Sequence, residues 1–84
     1  MTTTEKEKEW RDLSDIEIHA CLAAHAIALK LNWKDPRHMA TMRRIFDLGR
    51  PKIVLTYDSH NHLESCRIHE NSAAVMKVLI RQYL

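Results

Sequence analysis

Residues 35–57 read DPRHMATMRRIFDLGRPKIVLTY, and this stretch contains the start and the end of one helix followed by a strand. Asp followed by Pro is a favoured helix start, because Asp35 can cap the first turn and Pro36 needs no hydrogen-bond partner for its nitrogen. Gly49 is the residue type that most often follows a helix in the left-handed conformation, and the proline shortly after it cannot continue the helix. The stretch therefore predicts a helix over 36–48.

The predicted helix has one apolar side and one basic side. Helical spacing brings four apolar residues together on the side that should face the core, namely Met39, Met42, Ile45 and Phe46. Arg37, Thr41 and Arg44 lie on the opposite side, and Arg43 flanks them. This pattern is typical of a helix that packs with one face and meets solvent with the other.

The pattern changes from helical to alternating after the second proline. Over residues 52–58, Ile53, Leu55 and Tyr57 point one way, and Val54 and Thr56 the other. Residues 58–61 have the composition of a turn, and Leu63–His69 can return as a second strand with Cys66 and Ile68 on one face. A two-stranded hairpin is not stable alone, so it must pack on the helices or pair with another chain.

Another helix is predicted before this unit. Residues 14–17 read SDIE, which matches a capping box between Ser14 and Glu17. Apolar residues then occur on nearly every side of the segment from Ile16 to Leu31. We therefore predict a helix over 14–32 that is buried in the middle of the domain or in a dimer interface.

The two ends of the chain are predicted to be helical as well. Thr4–Asp12 is rich in Lys and Glu, and we expect an exposed helical turn or a frayed helix that Trp10 and Leu13 attach to the core. At the other end, Asn71 and Ser72 are expected to cap a final helix over Ala73–Leu84. The apolar face of that helix would hold Val75, Met76, Leu79, Ile80 and Tyr83.

The predicted order is (α)-α-α-β-β-α, a mainly helical α+β fold with one β-hairpin in a single domain over residues 1–84, of which 1–12 are partly frayed. The succession of helix, helix and hairpin resembles the winged helix-turn-helix arrangement in outline. The resemblance implies that 36–48 is a recognition helix and 52–69 a wing. It is a likeness of architecture, and no family motif accompanies it.

Length and composition exclude several classes of protein. With 84 residues, of which 45% are hydrophobic and 29% charged, the chain suits one folded domain. One Gly and two Pro exclude Gly-rich phosphate loops and most turn-dense all-β folds. The uncharged stretch Ile18–Leu29 is too short to cross a bilayer, and we expect no signal peptide. We therefore expect no membrane partner and a cytoplasmic location, with Cys21 and Cys66 as small buried hydrophobic residues rather than a disulfide.

Positive charge is concentrated in one part of the chain. Residues 1–32 contain four basic and six acidic residues, whereas residues 33–84 contain nine basic and five acidic residues. Most of the excess lies in 34–52, where six basic residues stand against Asp35 and Asp47. This asymmetry indicates an anionic partner.

Arginine binds phosphate through two parallel hydrogen bonds, so the basic segment predicts a regulator that binds nucleic acid, with DNA favoured over RNA. The expected contacts are groove contacts from Arg37, Thr41 and Arg44, phosphate contacts from Arg43, Arg50 and Lys52, and auxiliary contacts from His60 and His62 at the hairpin tip. A homodimer is expected, joined through the long apolar helix or the C-terminal one.

Two other interpretations of the same residues stay open. In the first, the basic side is only a solvated surface, on which the arginine stems cover apolar atoms. In the second, the protein is a small protein-binding inhibitor or adaptor of the kind that phages and mobile elements direct against a host protein. The short length and the lack of catalytic motifs fit this second function as well as nucleic-acid binding.

Histidine and cysteine are the remaining candidates for chemistry. Four possible zinc ligands lie within ten positions, namely His60, His62, Cys66 and His69. His60 and His62 lie at a turn, so the alternation of a regular strand does not place them on one face. Cys66 and His69 are an odd number of positions apart and would point to opposite faces of their strand. His19 and Cys21 lie on different sides of their helix, which leaves no nucleophile beside a base. We therefore expect no metal, no cofactor and no enzymatic activity.

Overall fold

The computed structural model describes residues 3–84, which form a three-stranded antiparallel sheet and three α-helices. The strands are β1 (Thr4–Glu9), β2 (Lys52–Tyr57) and β3 (Leu63–Ile68). The helices are α1 (Asp15–Ala28), α2 (Pro36–Gly49) and α3 (Glu70–Tyr83), and a 3₁₀ turn over Trp10–Asp12 follows β1. The predicted fold class, a mainly helical α+β fold with a hairpin formed by β2 and β3, is confirmed.

The N-terminal segment contains a strand, so the prediction of a helical turn over Thr4–Asp12 is wrong. β1 lies antiparallel to β2, from Thr4 opposite Tyr57 to Glu9 opposite Lys52. Its Glu and Lys residues alternate, so the lysines share the face of the core residues of β2 and the glutamates share the other. Lys and Glu favour helix locally, but pairing with a buried strand outweighs that preference.

The inner face of the sheet packs on the helices. β2 is the central strand, and its Ile53 and Leu55 are completely buried. Cys66 and Ile68 of β3 lie opposite these two residues and join them in the core. The alternation predicted for residues 52–58 is therefore confirmed. Of the two predicted alternatives, packing on the helices or pairing with another chain, the hairpin takes the first.

α1 ends earlier than predicted. Its last residue is Ala28 rather than residue 32, because Lys30 adopts the left-handed conformation with a φ of 61°. The amide of Lys30 donates to the carbonyl of Ile27 at 3.0 Å, and the amide of Leu31 donates to that of Ala26 at 2.8 Å. These two bonds form a standard C-terminal motif that closes the helix, here with lysine where glycine is usual.

α1 is also less buried than predicted. Cys21, Leu22 and Ala26 lie in the core. By contrast, Ile16 is 80% exposed and Ile27 is 59% exposed. Burial on all sides of this helix is therefore wrong for the single chain, in which one outward face of α1 stays apolar and uncovered.

The end of α2 differs from the prediction in its glycine. Gly49 is still helical, and Arg50 adopts the left-handed conformation with a φ of 45°. A Cβ at position 49 would collide with the sulfur of Met76 and lie 2.9 Å from Cδ1 of Leu79. Glycine is therefore favoured here by the close approach of α3 side chains, which would have to move for a Cβ, rather than by the turn.

α3 begins at Glu70, before the predicted start at residue 73. His69 is its N-cap, since its Nδ1 accepts a hydrogen bond from the amide of Asn71 at 3.0 Å. The predicted capping role of Asn71 and Ser72 is therefore wrong. Ser72 instead connects α3 to the sheet, because its hydroxyl accepts from the amide of Lys52 at 3.0 Å. Val75, predicted on the apolar face, is exposed.

A buried carboxylate joins α1 to β1 and β2. Glu17 is 7% exposed and accepts hydrogen bonds from Lys8 Nζ at 3.1 Å, from the Tyr57 hydroxyl at 2.5 Å and from the Ser14 amide at 2.9 Å. The last of these belongs to the predicted capping box, which is present. Burial raises the pKa of Glu17, but the bonds from Ser14, Tyr57 and Lys8 outweigh it and lower the pKa to about 2. The hydrogen bond to Glu17 also raises the pKa of Tyr57 to about 12.

A disulfide joins α1 to β3. Cys21 and Cys66 are bonded to each other, their Cα atoms lie 5.3 Å apart, and both residues are buried. The prediction that these cysteines form no disulfide is wrong, although their burial is confirmed. The two positions are separated by 45 residues, and only the packing of α1 on the sheet brings them together.

Glu17→Gln should destabilise the protein more at neutral pH than in acid. The pKa of Glu17 falls from 4.5 to about 2 on folding, so the carboxylate stabilises the fold fully above pH 4.5 and ceases to do so as the pH falls towards 2. We expect the free energies of unfolding of parent and variant to differ by about 3 kcal/mol at neutral pH, and this difference to shrink in acid. Urea denaturation at a series of pH values measures it.

The control for this experiment is Glu64→Gln, because Glu64 is exposed on β3 and makes no ion pair with any of residues 3–84. It should alter stability little at any pH. A Glu17→Gln difference that stays constant into strong acid would contradict the assigned role of the carboxylate.

Reduction of the disulfide should lower the free energy of unfolding by about 3 kcal/mol, because the bond restricts the unfolded chain. Urea denaturation with and without a phosphine reductant measures the change. The double variant Cys21→Ala, Cys66→Ala should not respond to reductant. Two results together would disprove the disulfide in the air-oxidised parent. They are alkylation of both cysteines in the unfolded protein and a free energy of unfolding that reductant does not change.

Candidate functional site

The exposed side of α2 is basic. Its solvent-facing residues include Arg37, Ala40, Arg43, Arg44 and Asp47, all of which are exposed. Arg50 follows the helix directly, and Arg11 of the 3₁₀ turn lines the same hollow as Arg50. Five arginines therefore lie on this part of the surface, together with the carboxylates of Asp35, Asp47 and Glu9, the last of which lines an adjoining hollow with Arg11 and Arg50.

Arg37 and Thr41 lie in the first half of α2. The Arg37 guanidinium contacts the Asp35 carboxylate at 3.2 Å between Nη2 and Oδ2, and this hydrogen bond lowers the pKa of Asp35. The Thr41 hydroxyl donates to the backbone carbonyl of Arg37 at 3.0 Å. The side chain of Arg37 is 89% exposed, so the ion pair is screened by solvent and can exchange for a pair with another anion.

Arg43 and Arg44 point to different sides of α2. Arg43 Nε lies 3.3 Å from the Asp47 carboxylate, one turn further along the helix. The guanidinium carbon of Arg44 lies 5.5 Å from the centre of the Tyr83 ring, so Arg44 leans towards α3. The helix therefore offers charge on both sides of its exposed face.

A hollow of about 470 Å³ lies on the Arg43 side of α2. We call it the arginine cleft, and its lining residues are Trp10, Arg11, Ile18, Arg43, Asp47 and Arg50. Trp10 is buried, its indole nitrogen donates to Asp47 Oδ1 at 2.8 Å, and its ring lies 5.0 Å from that of Phe46. Arg11 and Arg50 have no carboxylate within 4.0 Å among residues 3–84. The cleft thus brings three arginines together, two of them without an ion pair.

The backbone explains how Arg11 comes to lie beside Arg50. The amide of Trp10 donates to the carbonyl of Pro51 at 3.0 Å, which ties the 3₁₀ turn to the segment after α2. The left-handed conformation of Arg50 costs about 1–2 kcal/mol for a residue other than glycine. A smaller hollow of about 190 Å³, lined also by Glu9, adjoins the cleft. Sequence reasoning missed Arg11 because its segment was predicted as a frayed end, although Trp10 beside it indicated an attachment to the core.

The other predicted contact residues lie apart from the arginine cleft. Lys52 is on the outer face of the sheet, where its Nζ contacts Glu7 Oε1 at 3.0 Å. His60 and His62 are exposed at the turn beyond β2, so the length of that strand, about 17 Å, separates them from Lys52. The Asp58 carboxylate accepts from the amides of both histidines at 2.9 Å. The structure therefore brings together Arg43 and Arg50, but not the hairpin tip with them.

The outer face of the sheet has the opposite character. Glu5, Glu7 and Glu9 project from β1 on this side. Arg67 Nη2 contacts Glu5 at 3.3 Å, and hydrogen bonding to Lys52 lowers the pKa of Glu7. A hollow of about 560 Å³ opens here between β1 and the start of α3. An anionic partner is therefore favoured at α2 and disfavoured at this sheet face.

The candidate metal ligands are dispersed. Within residues 3–84 no three His, Cys, Asp or Glu side chains lie close enough together to hold a metal ion. Cys66 is in the disulfide and His69 caps α3, which leaves His60 and His62 with ring centres 6.3 Å apart. The expected absence of a metal and of catalysis stays a prediction. None of the helices over residues 3–84 is both long enough and apolar enough to span a membrane.

Neither a protein-family model, nor a curated protein, nor a solved structure matches the chain. The function is therefore inferred from the charge, exposure and geometry of the chain's own residues.

Proposed function

We propose that this protein is a small non-enzymatic regulator that binds nucleic acid through the exposed face of α2. The observation that carries the proposal is the exposed set of five arginines on and beside that helix, with only the carboxylates of Asp35, Asp47 and Glu9 among them. Guanidinium groups bind phosphates with paired, charge-assisted hydrogen bonds. A helix with a free outer face can also enter a nucleic-acid groove, and the proposal favours DNA over RNA.

The proposal gives the residues of α2 two roles. Arg37, Thr41 and Arg44 are proposed to face the groove of the nucleic acid. Arg43 and Arg50 are proposed to contact its phosphate backbone. The ion pairs of Arg37 and Arg43 with aspartates are exposed, so they cost little to exchange for phosphate. Lys52, His60 and His62 are kept as secondary contacts, and Lys52 would have to leave Glu7 to make one.

A cytoplasmic location belongs to this proposal, because nucleic acid is the partner. Reductants in that compartment keep most cysteines as thiols. Cys21 and Cys66 would then be two buried thiols in contact, and the disulfide would form only on oxidation. The other core residues and the hydrogen bonds of Glu17 do not involve the two sulfur atoms.

Replacing Arg43 and Arg44 together with Ala should weaken binding to every nucleic acid tested. The fold should persist, because both residues are exposed and Ala favours helix. The slope of log K against log salt should decrease by about one, since Arg43 is the phosphate contact of the pair and Arg44 a groove contact. Fluorescence anisotropy with labelled duplex DNA, single-stranded DNA and RNA over a salt series measures both quantities.

The matched control removes two positive charges elsewhere, by Lys77→Ala with Arg81→Ala on the exposed side of α3. That variant should have nearly the parent's affinity and salt slope. Any small decrease would come from its lower net charge. Equal losses of affinity in the two variants would mean that binding depends only on the net charge of the protein and not on α2. A parent that binds no nucleic acid at low salt would reject the proposed function.

A second candidate function is favoured by the uncovered face of α1. Ile16 and Ile27 lie on the same side of the helix, with Ala20 and Ala23 between them. The two isoleucines are exposed and the alanines between them are half-buried, so this side of α1 is an apolar patch of the kind that association surfaces use. The surface suits the protein-binding inhibitor or adaptor, directed against a host protein, and it equally suits the proposed homodimer.

Ile27→Lys should dissociate the proposed dimer without unfolding the chain, because Ile27 is 59% exposed in the single chain. Sedimentation velocity should show a dimer for the parent at high micromolar concentration and a 9.9 kDa monomer for the variant. Val78→Lys, at a position of α3 that is 63% exposed, is the control and should remain dimeric. A parent that is monomeric throughout, or a Val78→Lys variant that dissociates instead, would exclude α1 as the dimer interface.

A further inference from the structure

We infer that the arginine cleft is a binding site for a terminal phosphate group, the dianion found at a strand end or on a free nucleotide. Where the phosphate belongs to a nucleic-acid strand, the inference rests on the proposed function. The evidence for the site itself is the geometry of the cleft, whose residues come from the 3₁₀ turn, α1, α2 and the segment after α2.

The charges in the cleft favour a dianion. Arg11 and Arg50 have no carboxylate within 4.0 Å among residues 3–84, so two guanidinium charges are not neutralised. Asp47 is the one carboxylate in the lining, and it is engaged by Trp10 and Arg43. A terminal phosphate carries nearly two negative charges at neutral pH, whereas a backbone phosphate carries one. The terminal group therefore matches the unpaired arginines better.

The position of the phosphate within the cleft follows from its neighbours. Glu9 lines only the smaller adjoining hollow, so an anion is favoured in the part of the cleft away from Glu9. The carbonyl end of α2 lies nearby and opposes an anion, so binding depends on Arg11 and Arg50. A volume of about 470 Å³ is within the range of small-ligand sites, which leaves room for a nucleoside beside its phosphate.

Arg50 is the residue on which the inference can be tested most cleanly. It adopts the left-handed conformation, which glycine adopts without strain. Arg50→Gly therefore removes the guanidinium while relieving the backbone, and a urea denaturation curve of the variant checks that its fold is kept. Arg11 is exposed, and Arg11→Ala removes the second unpaired charge with little effect on packing.

The experiment follows the two indole N–H resonances of the protein during titration with adenosine monophosphate. The chain contains two tryptophans, and only Trp10 lines the cleft, so Trp33 is an internal control. We expect a saturable shift of the Trp10 resonance with the nucleotide and none with adenosine, which lacks the phosphate. The variant Arg11→Ala, Arg50→Gly should bind the nucleotide at least about tenfold more weakly, because it loses two charge-assisted contacts.

The control is again Lys77→Ala with Arg81→Ala, which should titrate as the parent does. Equal shifts with adenosine and with the nucleotide would overturn the inference, as would an unchanged affinity in the variant Arg11→Ala, Arg50→Gly. Anisotropy with 5′-phosphorylated and 5′-hydroxyl oligonucleotides identifies the source of the phosphate. Tighter binding of the phosphorylated strand assigns the site to a strand end, and equal binding assigns it to a free nucleotide.

The two proposals fail separately. If the nucleotide shifts Trp10 and depends on Arg11 and Arg50, but no oligonucleotide binds, the cleft assignment stands and the nucleic-acid function is rejected. If oligonucleotides bind through Arg43 and Arg44 while the nucleotide leaves Trp10 unmoved, the function stands and the cleft assignment is rejected.

Discussion

The buried carboxylate of Glu17 is the constraint on which the arrangement of this chain depends. A charged carboxylate is tolerated in a core only when donors satisfy it, and the donors here come from β1, β2 and the start of α1. Lys8 can reach Glu17 only if β1 lies along β2 with its lysines inward. The alternation of residues in β1 then places all of its glutamates on the outer face. One buried charge thus sets both the position of the first strand and the sign of the outer sheet surface.

The position of β1 also determines the candidate site. The strand ends at Glu9, and the next residues turn so that Trp10 bonds to Pro51 and to Asp47. Arg11 is thereby placed beside the end of α2. The arginines consequently gather around α2, while the glutamates of β1, two of them paired with Lys52 and Arg67, lie on the open side of the sheet.

Part of this site could be predicted from the sequence and part could not. Helical spacing alone placed Arg37, Thr41 and Arg44 on one side of α2, and the exposure of that side agrees with it. The arginine cleft needed contacts between residues far apart in the chain, so Arg11 had no local pattern to identify it. The prediction that the hairpin tip joins the basic helix depends on the winged-helix outline, and in the structure the length of β2 separates that tip from Lys52.

Local chemistry by itself determined α2, the hairpin and the start of α1, because caps and the period of apolar residues act within a few neighbouring positions. Tertiary structure alone decided three other features. β1 is a strand because β2 offers it hydrogen bonds, against the helical preference of Lys and Glu. Cys21 meets Cys66 because α1 packs on the sheet. Gly49 is favoured because the side chains of Met76 and Leu79 on α3 lie close to it. Each of these depends on a partner distant in sequence, and local propensities carry no information about such partners.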